Sequence, residues 1–130
     1  MVTQHLQPRA LCEAVADRIR ERVLSHEWRP GEELDEAALT REYGVSRTPV
    51  REALKLLCHE GLLTAQARRG VAVTAVAAHE LAEALELRRI LESHARHCHP
   101  IWTDIPVDSL VGRLLEIVRR RIRLAGNPAG

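Results

Sequence analysis

The sequence predicts a mainly α-helical protein with one small β-hairpin. Three observations predict it. Leu11, Val15, Ile19 and Val23 recur every fourth residue, which is the helical period. Pro30, Gly31, Gly44, Pro49, Gly61, Gly70 and Pro100 punctuate the chain into short amphipathic runs. Strand-like composition is clearest in two short stretches, 62–66 and 71–74, on either side of a turn. Aromatic residues make up 2% of the chain and Phe is absent, so a core must be built from Leu, Val, Ile and Ala. That favours closely crossing helices over an aromatic-rich sandwich.

Taken in order, residues 1–9 read as a loose arm. A helix follows over about 10–25, with Glu13, Asp17, Glu21, Arg18, Arg20 and Arg22 on its solvated side. Trp28-Arg29-Pro30-Gly31 is a turn: Pro presets its first central dihedral and Gly takes the positive one. Glu33-Leu34 is a scrap of strand. Asp35 is the expected N-cap of a second helix over 35–43, with Ala38, Leu39 and Tyr43 facing inward, and Gly44 ends it. A third helix runs from about Ser46 to Glu60, with Pro49 in its first turn, where the missing N–H costs nothing. It offers Val50, Ala53, Leu54 and Leu57 to a core, and Gly61 closes it. The two strands come next, turned by Ala67-Arg68-Arg69-Gly70. Residues 1–74 thus read as a winged helix-turn-helix.

After a linker at 75–78, Leu81, Leu85, Arg88, Leu91 and Ala95 mark a fourth helix over about 79–98, stopped by Pro100. Asp104 is the expected cap of a fifth helix, with Pro106 in its first turn. Leu110, Leu114, Ile117 and Val118 would be its apolar side, and Arg119, Arg120, Arg121 and Arg123 its basic end. No internal repeat is present. No apolar run approaches the roughly 18 residues that cross a bilayer, and residues 1–11 lack a signal-like segment. A cytoplasmic protein without membrane contact is expected. Cys12, Cys58 and Cys98 lack paired spacing and are expected to be buried free thiols.

The net charge of +1 does not announce nucleic acid, but its distribution does. Between Ser46 and Val73, Arg47, Arg51, Lys55, Arg68 and Arg69 stand against Glu52 and Glu60, whereas acids outnumber bases from Arg9 to Val45. Ser46 and Thr48 fall where hydroxyls and helix N–H groups can grip phosphate oxygens, with simple capping as the alternative for Thr48. Arg47 stands at the end that would enter a major groove, where its guanidinium can donate to guanine O6 and N7. Arg51, one turn on, could read a second base or a phosphate, and Lys55 a phosphate. Arg68 and Arg69 at the hairpin tip could reach the minor groove or its phosphates, with Gly70 shaping the turn. The plain alternatives are solvated surface charges and an ordinary turn. No Gly-rich phosphate loop, nucleophile–base pair or paired-acid motif suggests an enzyme. His94, His97 and Cys98 share a helical face at zinc-compatible spacing, beside His99, which leaves a metal or thiol sensor as an alternative. They sit at a helix end without a second ligand pair, where histidines also suit the helix dipole.

Arg29-Pro30-Gly31, the 37–43 helix, Gly44-Val45-Ser46-Arg47-Thr48-Pro49-Val50-Arg51-Glu52-Ala53-Leu54 and Glu60-Gly61-Leu62 resemble the GntR family of bacterial transcription factors, over about residues 10–74. Leu81 and Glu86-Leu87-Arg88-Arg89-Ile90-Leu91-Glu92 resemble the first helix of the FadR/FCD-type effector domain, and 104–124 is similar to its second. The resemblance implies a DNA-binding regulator, expected to be a repressor acting as a homodimer on a pseudo-palindromic operator. It also implies that residues 79–130 are a partial all-helical effector and dimerisation region. Arg88 matches a position that often faces a small carboxylate effector. The family's metal ligands, an Asp and several His, come from later helices, so no metal ligand and no cofactor is assigned here. Such a chain would be a truncated regulator, a fragment, or an interaction partner that modulates a full-length relative.

Overall fold

The apolar stripe of the first helix is buried as its period requires: Val15, Ala16, Ile19 and Val23 are all in the core. The computed structural model describes residues 8–98, 105 and 108–126. Its elements are α1 (Pro8–Leu24), β1 (Glu33–Leu34), α2 (Glu36–Tyr43), α3 (Arg47–His59), β2 (Leu63–Gln66), β3 (Gly70–Val73), α4 (Ala78–Cys98) and α5 (Leu110–Leu124). Two units result, Met1–Thr74 and Ala75–Gly130. Helix α1 starts at Pro8, earlier than expected, because proline is at home in a first helical turn. The expected arm therefore loses its last two residues to the helix, and the rest of it lies outside the described residues.

In the first unit α1 packs on α3, whose Pro49, Val50, Ala53, Leu54 and Leu57 are buried. Asp35 caps α2 as expected, its carboxylate accepting from the N–H groups of Ala37 at 2.9 Å and Ala38 at 3.2 Å. Gly44 ends α2 at φ +64°, and its N–H donates to the Arg41 carbonyl at 3.3 Å. The 29–32 turn closes with the Glu32 N–H donating to the Arg29 carbonyl at 3.0 Å, with Gly31 at φ +84°. That turn explains why the expected hairpin is in fact a three-stranded antiparallel sheet, ordered β1-β3-β2. The Gly31 N–H reaches the Val73 carbonyl at 2.8 Å and the Val73 N–H reaches the Glu32 carbonyl at 2.9 Å, which lays β1 along β3. The register pairs Leu34 with Val71 on one side of β3, and Leu63 with Val73 through Gln66 with Gly70 on the other. Leu34, Leu62, Leu63, Ala72 and Val73 close this core.

Two charged residues expected on the solvated side of α1 are half-buried anchors instead. Arg20 donates to both oxygens of Glu60, Nε at 2.9 Å and Nη2 at 2.7 Å, and so ties α1 to the end of α3. The Arg22 guanidinium lies 4.1 Å from the Trp28 ring centre and donates to the Tyr43 hydroxyl at 2.8 Å, with Glu27 and Glu42 also in contact. Cys12 and Cys58 are free thiols but half-buried rather than fully buried, and burial raises the pKa of both. The Cys98 side chain lies outside the described residues.

In the second unit α4 packs on α5 through Ala84, Val118 and Ile122, with Leu81, Leu85 and Leu91 against them. Glu92 pairs with Arg119 and Glu80 with Arg121, each at 3.2 Å. The observed cap of α5 is Ser109, accepting from the Gly112 N–H at 3.0 Å, so the helix begins at Leu110. Asp104 and Pro106 lie outside the described residues. The expected apolar side of α5 is corrected as well: Leu110, Leu114 and Ile117 are exposed, and of the four only Val118 is buried. The buried face is Gly112, Leu115, Val118, Ile122 and Leu124, rotated from the predicted one.

Leu57→Ala should lower unfolding stability by about 2–5 kcal/mol. Gly44→Ala should cost about 1 kcal/mol through its left-handed backbone alone, because a Cβ there meets nothing within 4 Å. Both are read from denaturant unfolding curves.

Candidate nucleic-acid interface

Burial divides α3 into two faces. With Pro49, Val50, Ala53, Leu54 and Leu57 inside, Arg47, Thr48, Arg51, Glu52 and Lys55 are left outside. Ser46 precedes the helix in an extended conformation and makes no side-chain capping bond, and the first turn contains no acid. The helix therefore presents its positive end and leading N–H groups with no acid in its own first turn, an arrangement that attracts a phosphate. Ser46 and Thr48 line one cleft together with Glu52 of α3 and with Arg9 and Cys12 of α1. Sequence reasoning assigned Arg9 to the arm and missed its place beside α3, since only the α1–α3 packing brings it there.

Arg51 and Lys55 line a second cleft, about 240 Å³, between α3 and the hairpin, shared with Gly70. Neither cation stands alone. Arg51 donates to Glu36 Oε1 from Nε at 3.3 Å and from Nη2 at 3.0 Å, and Lys55 Nζ lies 3.2 Å from Glu52 Oε1. Glu36 was read only as a residue of the second helix. No local pattern marks its partnership with a residue fifteen positions away.

At the hairpin tip residues 64–70 are exposed, including Arg68, Arg69 and Gly70. The Arg69 N–H donates to the Gln66 carbonyl at 3.3 Å, and Arg68 occupies the turn at φ +68°, followed by Gly70 at φ +83°. A left-handed backbone costs an L side chain about 1–2 kcal/mol. The turn thus holds a long cation where glycine would be easier, and presents it outward.

Arg88 is half-buried on α4 in the second unit. His94 and His97 lie on α4 with Arg89, Ile90 and Ser93 around a surface cleft. His99 and the Cys98 side chain lie outside the described residues. Among the described residues no group of three or more His, Cys, Asp or Glu is placed to hold a metal. Among them, too, no helix is long and apolar enough to cross a membrane.

A packed-backed cationic helix beside a basic hairpin defines the class of winged helix-turn-helix proteins. The family profile for bacterial regulatory proteins of the gntR family matches residues 11–73. Residues 11–73 are thus similar to the DNA-binding segment of that family. The chain is 37% identical over 110 residues to the gluconate operon transcriptional repressor of Bacillus subtilis, a match covering 84% of this chain and 44% of that protein. It is 43% identical over 72 residues to the Nta operon transcriptional regulator of Aminobacter aminovorans, covering 55% of this chain and 34% of that one. The chain thus spans less than half of either relative. Among solved structures it shares the fold of Escherichia coli McbR/YncC, with a TM-score of 0.60 at 21% identity, covering 99% of this chain and 67% of that one.

Arg68→Gly should raise unfolding stability by up to about 1 kcal/mol by removing the left-handed strain. A loss of stability in the denaturant midpoint would mean that the turn is held by Arg68 contacts.

Proposed function

We propose that this protein is a sequence-specific DNA-binding transcription regulator and a repressor, not an enzyme, acting in the cytoplasm. The observation that carries the reading is the division of α3. Its back is sealed in the core, while Arg47 and Thr48 stand exposed in a first turn that holds no acid, and Arg51 and Lys55 stand exposed beyond them, paired with Glu36 and Glu52. In this reading α3 enters a major groove of double-stranded DNA. Arg47 reads a guanine edge, worth about 1–3 kcal/mol of discrimination. Ser46, Thr48 and Lys55 hold phosphates, and Arg68 and Arg69 of the wing, set by Gly70, lie along the neighbouring groove. The relative named as a gluconate operon repressor supports the direction of control.

The protein works as a homodimer on a pseudo-palindromic operator, one helix per half-site. Leu87, Ile90, Leu110, Leu114 and Ile117, all exposed on α4 and α5, favour self-association of the FCD-like second unit. A small carboxylate effector would be met there by Arg88.

Selection of bound duplexes from a random pool, with the solution mass measured alongside, tests this. The expected result is a two-fold-related consensus and a dimer. Arg47→Ala should relax selection at one base position per half-site while other positions keep their preference. Replacing Arg68 and Arg69 together by Ala should weaken binding to all duplexes alike and lower the slope of log affinity against log salt by about 2 per half-site, about 4 for the dimer. A wild-type protein that binds every duplex equally would sink the reading.

A further inference from the structure

We infer that Glu36 is a positioning residue for DNA readout: it holds the Arg51 guanidinium in one orientation at the mouth of the cleft between α3 and the hairpin. The inference rests on the DNA-binding reading above and adds a residue to it. Arg51 Nε and Nη2 both donate to a single oxygen, Glu36 Oε1, at 3.3 and 3.0 Å. Those donors form the side edge of the guanidinium fork. With that edge occupied, the edge left for DNA is the end one, formed by Nη1 and the second hydrogen of Nη2. Arg51 therefore meets DNA end-on, in a plane set by the protein rather than by the target.

The backbone that carries this carboxylate is itself well held. Glu36 is the first residue of α2, directly after the Asp35 cap, and its own carbonyl accepts from Thr40 Oγ1 at 2.8 Å. Its side chain is 33% exposed against 56% for Arg51, so the acid is the anchored partner and the arginine the presented one. A long side chain fixed in advance loses less rotamer freedom on binding. The carboxylate also offsets the arginine charge, which lowers attraction to any phosphate and leaves directional hydrogen bonding as the larger part of what Arg51 contributes. Both effects widen the gap between the right duplex and a wrong one. The helix before the recognition helix thereby contributes to specificity without touching DNA.

The test compares Glu36→Gln with the wild-type chain on the duplex recovered by selection and on an unrelated duplex of equal length. The ratio of the two affinities should fall about tenfold, while affinity for the unrelated duplex stays level or rises. Arg51→Lys keeps the charge but not the shared fork, and should lose the same ratio. An exposed pair contributes little to stability, so both variants should unfold near the wild-type temperature. If Glu36→Gln does not fold, Glu36→Asp takes its place, since Arg51→Lys would lose the ratio through its own DNA contact whether or not Glu36 positions it. A ratio unchanged in either folded variant, or a rise on both duplexes by the same factor, overturns the role of Glu36 while leaving the regulator intact. A wild-type chain that selects no sequence overturns the regulator reading, and this proposal with it.

Discussion

The first unit depends on the seam between α1 and α3. Val15, Ala16, Ile19 and Val23 of α1 are buried, α1 packs on α3, and Val50, Ala53 and Leu57 of α3 reach zero exposure. Burying one aliphatic side chain of that size contributes about 1.5–3 kcal/mol, whereas an exposed ion pair contributes about 0–1 kcal/mol. Apolar contact therefore places the helix, and Arg20 with Glu60 fixes where along α1 its end lies. Everything proposed for DNA follows from that placement. A helix sealed on one side can present cations only on the other.

The same seam organises the surroundings. Arg9 and Cys12 are brought beside Ser46 and Thr48 because α1 runs alongside the start of α3. Three-stranded pairing brings β3 and its turn next to α3, so that Gly70, Arg51 and Lys55 border one cleft. The basic character of this side is local and partly offset, since Glu36 and Glu52 sit against the cations. A chain with net charge +1 thus carries a face suited to an anion without a large overall field.

Much of this was legible in the letters. The four-residue apolar period located α1, Asp35 and Gly44 bracketed α2, and Pro49 and Gly61 bounded α3, because each of these signals acts within one helical turn. The split of α3 into core and cationic faces was readable for the same reason. The second unit was less legible. Leu110, Leu114 and Ile117 have the spacing of a buried stripe, yet α5 buries Leu115, Val118, Ile122 and Leu124. Two apolar stripes lie on one helix, and periodicity does not say which one faces α4.

What the sequence determined by itself was the run of elements, the ends of α2 and α3, and the cationic face of the third helix, since all of these arise from contacts a few residues apart. Only the tertiary structure decided which charges are presented and which are held. Arg20 looked solvated and is clamped to Glu60, forty residues away. Arg51 looked unaccompanied and leans on Glu36 across the helix-turn-helix. Partnerships between side chains far apart in the chain leave no local pattern, because they exist only once apolar packing has brought the backbones together.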